Sequence, residues 1–206
     1  GRMADGGWRG VGDVFARRDA LTLGLSAAGF ALSYGLRALR VFDEFRAQAK
    51  RRFGTCLRIV LIHNAMINVV PFRGGEAAFP LLLRQNFGIP LPRAIASLFW
   101  FRLQDAFVVM ALAAIVWPGV HPGLKAIAVI GVIVTAWWLP RWARAPHDWA
   151  EGKAFTAKLA KVRDAFAEST RHARYGWVWT IANWTVKLAA QACLLAALIP
   201  AALAVG

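Results

Sequence analysis

Four groups of polar residues stand inside otherwise apolar stretches, and their types fix the chemistry open to each. The first is the run Pro71-Phe72-Arg73-Gly74-Gly75-Glu76. A glutamate following two glycines at the start of a helix complements the helix dipole, so Glu76 reads as a cap. The same turn aims free backbone N–H groups and the Arg73 guanidinium at one spot, an arrangement suited to phosphate. Ionisable groups at membrane depth are costly and mark functional sites by default, which favours the anion-binding reading. The second group is Arg102 and Asp105, within Phe99-Trp100-Phe101-Arg102-Leu103-Gln104-Asp105. Their i, i+3 spacing puts them on one helical face. Two readings stand: a self-neutralising pair that packs the helix, or an Arg102 that bridges to Glu76 or to a substrate phosphate.

The third group is Asn183, Lys187 and Gln191, spaced i, i+4 and i+8 through an apolar helix. Such a stripe faces protein or water rather than lipid. For Asn183 and Gln191, helix–helix hydrogen bonding suffices. Lys187 lies too deep to snorkel and calls for an anionic partner, which adds it to the candidate substrate site. The fourth group is His63, Asn64 and Asn68. Asn64 and Asn68 share a face and can satisfy backbone freed by a helix break; His63 reads as a hydrogen-bonded packing residue. The candidate substrate-binding set is therefore Arg73, Gly74, Gly75, Glu76, Arg102, Asp105 and Lys187, with Asn64, Asn68, Asn183 and Gln191 structural.

None of these groups forms an enzyme constellation. Paired carboxylates, HExxH, GxSxG and the Walker phosphate loop are all missing. Cys56 and Cys193 lack the neighbours of a metal site. The expectation is a protein without catalytic residues, cofactor or metal.

The elements that position these groups follow from composition. Of 206 residues, 58% are hydrophobic and 17% charged, ten are Trp, and mean hydropathy is +0.47. That is an integral membrane protein. Apolar runs recur at 20–36, 57–70, 94–117, 126–139 and 177–205, which rules out a lone signal peptide. Gly1-Arg2-Met3 reads as a tag scar before a native initiator, and residues 1–19 as an N-terminal tail. The two runs flanking the PFRGGE turn are too short to cross: at ~1.5 Å per residue each reaches ~21 Å, against a hydrocarbon core of ~30 Å. The turn is therefore expected at the tip of a re-entrant helical hairpin, residues 57–90. Irregular backbone at that depth needs protein or a wet cavity around it.

A net charge of +14 supports the same topology. Nucleic-acid binding would need a soluble basic face, for which there is no room. Lys and Arg cluster instead in two loops, 37–58 and 141–174, which reads as the positive-inside signature against anionic headgroups. Both loops share the cytoplasmic side only if the hairpin enters and returns. The expected fold is all-α: a polytopic helical membrane protein with spans at about 20–40, 94–117, 124–140 and 177–205, the re-entrant hairpin at 57–90, and one transmembrane domain over 20–206. Phe155, Leu159, Val162 and Phe166 fall on one face of an amphipathic segment, 150–172, expected either in the cytoplasmic interface or as a solvated connector. Trp137, Trp138, Trp142, Trp177 and Trp179 read as interface belts that mark depth.

The motifs together resemble the lysylphosphatidylglycerol synthase transmembrane family, also called flippase-like membrane proteins. The marks are Leu36-Arg37-Ala38-Leu39-Arg40 ending the first span, Pro71 to Glu76 at the turn, and Arg102-Leu103-Gln104-Asp105 on the next span. They occur in order over about residues 30–110; the later part fits as generic spans. The resemblance implies movement of a lipid rather than its synthesis. In multidomain members this membrane unit moves aminoacylated phospholipid between leaflets, and a separate soluble domain makes it. Arg73, Glu76, Arg102 and Asp105 carry over by the motif match; Lys187 rests on its own position.

The expected function is thus a translocase for a phosphate-bearing lipid, phospholipid or polyprenyl-phosphate-linked, in the bacterial inner membrane. The alternatives are a membrane scaffold or, further off, an intramembrane lipid-modifying enzyme. The family's second glycine-rich turn near the C-terminus has no counterpart here, so the chain is either a short member or stops before a second half. A short member is expected to pair as a homodimer to enclose a path. Membrane lipids are the expected partners, and nucleic acid is not.

Overall fold

The computed structural model describes residues 20–70, 75–145, 154–172 and 175–202. Among them are eight helices and no strand: α1 (Ala20–Glu44), α2 (Arg46–Ala49), α3 (Phe53–Val69), α4 (Ala78–Phe87), α5 (Leu91–Val116), α6 (Pro122–Arg144), α7 (Ala154–His172) and α8 (Gly176–Ala202). The chain divides into two compact units, one made of residues 1–35 and 182–206, the other of residues 36–181.

In the smaller unit α1 and α8 meet through small residues. A Cβ on Gly29 would sit 2.8 Å from the Ala190 Cβ. Ser26 Oγ donates to the Ala190 carbonyl at 3.0 Å, and Ser33 Oγ to Asn183 Oδ1 at 2.7 Å. Close backbone approach sealed by short polar side chains is how helices associate where lipid removes the hydrophobic drive.

In the larger unit the hairpin is built from α3 and α4. Arg52, at the entry to α3, donates to the Asn86 carbonyl at 3.3 Å and lies 5.2 Å from the Phe87 ring, at the end of α4. Midway, His63 and Phe79 rings stand 5.3 Å apart. At the tip a Cβ on Gly75 would overlap the Met66 carbonyl. These three contacts run in opposite order along the two helices, so α4 returns along α3. α4 ends at Gly88, which takes φ 67° and donates to the Arg84 carbonyl. Pro90 and Pro92 then start α5.

The basic segment 37–58 is not a loop. α1 runs unbroken to Glu44, so Arg37 and Arg40 are helical, and α3 has already begun at Phe53. The helix breaks at Phe45, and the chain turns at Lys50 and Arg51, both at positive φ.

The segment expected at the interface or as a solvated connector is α7, and its described part packs one face on protein while Asp164, Glu168 and Arg171 stay exposed. Phe166 and Ala167 are buried in a cluster with Trp100 of α5 and Ala143 of α6, flanked by Leu103, Leu139 and Trp177. Trp100 meets Phe166 at 5.4 Å and Trp177 at 5.8 Å, both edge-on, the preferred aromatic geometry. Trp177 is therefore a packing residue as well as any marker of depth. The side chains of Phe155, Leu159 and Val162 lie outside the described residues. At the start of α8, the Tyr175 N–H donates to the Asp43 carboxylate at 2.7 Å, reaching back to the end of α1.

α5 and α6 are each long and apolar enough to cross a membrane. α6 exposes Ile127, Ile130, Ile133, Val134, Trp137 and Trp138. A soluble protein's core helix would bury such a face; here it is left for lipid.

Candidate functional site

One cleft of about 220 Å³ opens among α1, α3, α4 and α5 in the larger unit. Its polar lining is Arg37, Arg40, His63, Asn64, Arg102 and Asp105; Val41, Val60, Ile67, Phe79, Leu98 and Phe101 complete it. Three guanidinium groups and one carboxylate on one apolar wall make a cationic concavity, suited to an anion too large or too hydrated for the interior itself.

The arginines are held differently. Arg40 is 5% exposed. Its Nη1 meets Asp105 Oδ1 at 3.0 Å, and its Nη2 donates to Gln104 Oε1 and to the Phe101 carbonyl, both at 2.7 Å. Its Cζ also stands 4.4 Å from the Phe101 ring centroid. A buried cation with this many partners is fixed in place. Arg102 instead meets Glu76 Oε1 at 3.5 Å, with side chains 44% and 34% exposed. Such a long, wet pair is weak, and its carboxylate can be exchanged for a phosphate at little cost.

Of the two readings of Arg102 and Asp105, the structure has the bridge from Arg102 to Glu76, while Asp105 pairs with Arg40. α5 turns Asp105 to α1, where Arg40 takes it, and Arg102 to the hairpin tip, where Glu76 takes it. Glu76 sits in a single 3₁₀ turn, residues 75–77, that leads into α4. Gly75 is buried against the end of α3, where only a glycine fits. Arg73 and Gly74, with Pro71 and Phe72, lie outside the described residues.

The other expected residues fall elsewhere. Asn68 Nδ2 donates to the Asn64 carbonyl at 2.9 Å, a bond within α3, while Asn64 also lines the cleft. Asn183 accepts from Ser33, and Lys187 Nζ lies 4.9 Å from the Trp184 ring; with Gln191 they belong to the smaller unit. Both cysteines are free thiols. Among the described residues no three His, Cys, Asp or Glu side chains converge as a metal site would require.

Arg37, Arg40, His63, Phe101 and Gln104 were not in the candidate set. The signal for the arginines was present: Arg37 and Arg40, three apart at the end of a span, share a helical face.

On α5 and α6, a second cleft of about 360 Å³ is almost wholly apolar, with Phe107, Ala111, Val132, Ile133, Trp137 and Ile181 among its walls. Its α5 wall begins at Phe107, about half a turn (~3 Å along the axis) beyond Asp105.

In comparison with protein families, the family described as the lysylphosphatidylglycerol synthase TM region matches over residues 3–204. The match takes in the C-terminal part that the motifs alone left as generic spans. Neither curated proteins nor solved structures give a match.

Proposed function

Because the chain belongs to the lysylphosphatidylglycerol synthase transmembrane family, we propose that this membrane protein is a lipid translocase whose cleft receives the phosphate of a lipid headgroup. The observation that carries the reading is the unequal tethering of the two arginines. Arg40 is locked and sets the field, while Arg102 is held by one long contact to Glu76 and can let go. A phosphate entering the cleft would replace Glu76 as the partner of Arg102, and Glu76 would recover it when the lipid leaves. The apolar cleft on α5 and α6 offers a surface for an acyl or prenyl tail close to the headgroup position. Arg73, three residues before Glu76 in the sequence, would add a further cation. We place the hairpin as re-entrant and the protein as multi-pass in the bacterial inner membrane. The lipid moves without covalent change.

Transport of a labelled phosphate-bearing lipid in proteoliposomes tests this. Glu76→Gln and Arg102→Gln are each expected to abolish movement between leaflets while the protein stays folded. Wild-type rates from both variants would end the phosphate-exchange reading and favour a scaffold. Lipid mass spectrometry on the same vesicles should show unchanged mass; a modified lipid would make the protein an enzyme instead.

A further inference from the structure

One buried carboxylate takes no part in the cleft. Glu44 is the last residue of α1, past the expected end of the first span, and is 2% exposed. Ser97 Oγ donates to its Oε1 at 3.2 Å, and Oε2 has no hydrogen-bond partner among the described residues. One turn before Ser97, Arg93 carries two buried nitrogens, Nε and Nη2, also without partners among the described residues. Its Nη1 reaches Glu168 of α7 at 3.6 Å, and its Cζ stands 5.7 Å from the Phe45 ring. A carboxylate this buried and half-satisfied is unfavourable when charged and comfortable when it carries a proton.

We propose that Glu44 is a reversible proton-binding site, its Oε2 taking a proton from solution and giving it back, and that its charge is linked through Arg40 to phosphate occupancy of the cleft. The link is spatial. Arg40 and Glu44 are four residues apart and so share a face of α1, and Arg40 lines the cleft. The groups acting on Glu44 are few. Its carboxyl is raised from 4.5 to about 7, chiefly by burial, which outweighs the Ser97 hydrogen bond and Arg93; Asp43 adds to the rise and Arg40 opposes it. Asp43 is itself paired with Arg46 at 3.2 Å and with the Tyr175 N–H. Glu168 acts only by sharing Arg93. A phosphate arriving beside Arg40 offsets the positive charge that favours ionised Glu44, so it promotes proton uptake. By reciprocity a protonated Glu44 strengthens phosphate binding. The site thus binds its anion more tightly as pH falls.

The linkage rests on the phosphate reading of the cleft; the proton site does not, and the test separates them. Infrared difference spectra of the full chain in detergent, titrated from pH 8 to about 5.5, should show a protonated-carboxyl stretch that grows on acidification and is lost in Glu44→Gln. An identical band in wild type and Glu44→Gln would overturn the site. Ser97→Ala removes a hydrogen bond that favours the charged form, and should move the band's midpoint up by about one pH unit. It serves in its place should Glu44→Gln fail to fold, and an unmoved midpoint would then overturn the site.

Binding of short-chain phosphatidylglycerol, whose phosphodiester keeps one charge across this range, reads the linkage. Wild-type affinity should fall roughly fivefold between pH 6 and pH 8, and Glu44→Gln should stay flat at the tighter value. A flat wild-type profile would overturn the linkage. Absence of lipid binding by the wild type at every pH would instead count against the phosphate cleft, leaving the infrared result to decide the proton site.

Discussion

Arg40 and Arg102 differ in what their removal leaves behind. Truncating Arg40 takes a partner from buried Gln104 and the 3.0 Å ion pair from partly buried Asp105, a loss on the order of 3 kcal/mol. Arg40→Ala should therefore lower thermal stability in detergent sharply. Arg102→Ala removes only a long, wet contact and should cost less than about 1 kcal/mol, yet stop lipid movement. Equal melting temperatures for the two variants would contradict the division of roles. The sequence made Arg102 and Asp105 conspicuous, since ionisable residues three apart in an apolar run are visible at once. It offered Glu76 as a partner for Arg102, as the structure has it, but not Arg40 as the partner of Asp105. Helical spacing says which side chains can meet along one helix, whereas the competitor for Asp105 lies 65 positions away on another.

At the scale of elements, the hairpin depends on a single contact without a side chain. Gly75 lets the returning backbone lie against the Met66 carbonyl, and any Cβ there collides with backbone that cannot rotate aside. Gly75→Ala should push Glu76 away from Arg102, costing about 1–3 kcal/mol and reducing transport, with a cysteine cross-link between positions 63 and 79 reporting the opened hairpin. Retained cross-linking and transport would show that the tip tolerates the displacement. Much here was legible: two short apolar runs around Pro, Gly and Gly predict a hairpin over 57–90, and α3 and α4 fold back on each other there. The fate of α7 was not. Phe166 could be assigned to an apolar face by period alone, but periodicity names the face and not its cover, which proved to be Trp100 and Ala143 rather than lipid or water.

Across the whole molecule, composition announces a membrane protein, and the exposed apolar face of α6 agrees with it. Ile130, near the middle of that helix, is 59% exposed, so the described residues leave little shelter for a charge there. Ile130→Lys should disfavour insertion by about 3 kcal/mol, seen as a larger fraction of protein lost from membranes on alkaline extraction. Full retention of that variant would argue that this face meets protein.

The bond from Tyr175 to Asp43 has a consequence for how the chain is made. The N-terminal turn of α8 begins at Tyr175, whose carbonyl accepts from the Trp179 N–H. Its own N–H is received by a carboxylate 132 positions earlier. The docking partner of α8 is thus synthesised with α1 and has Arg46 for a partner while the intervening helices emerge. Biogenesis closes a ring: the end of α1 is complete only once α8 has begun, and a nascent chain halted after α7 carries Asp43 with half of its final contacts.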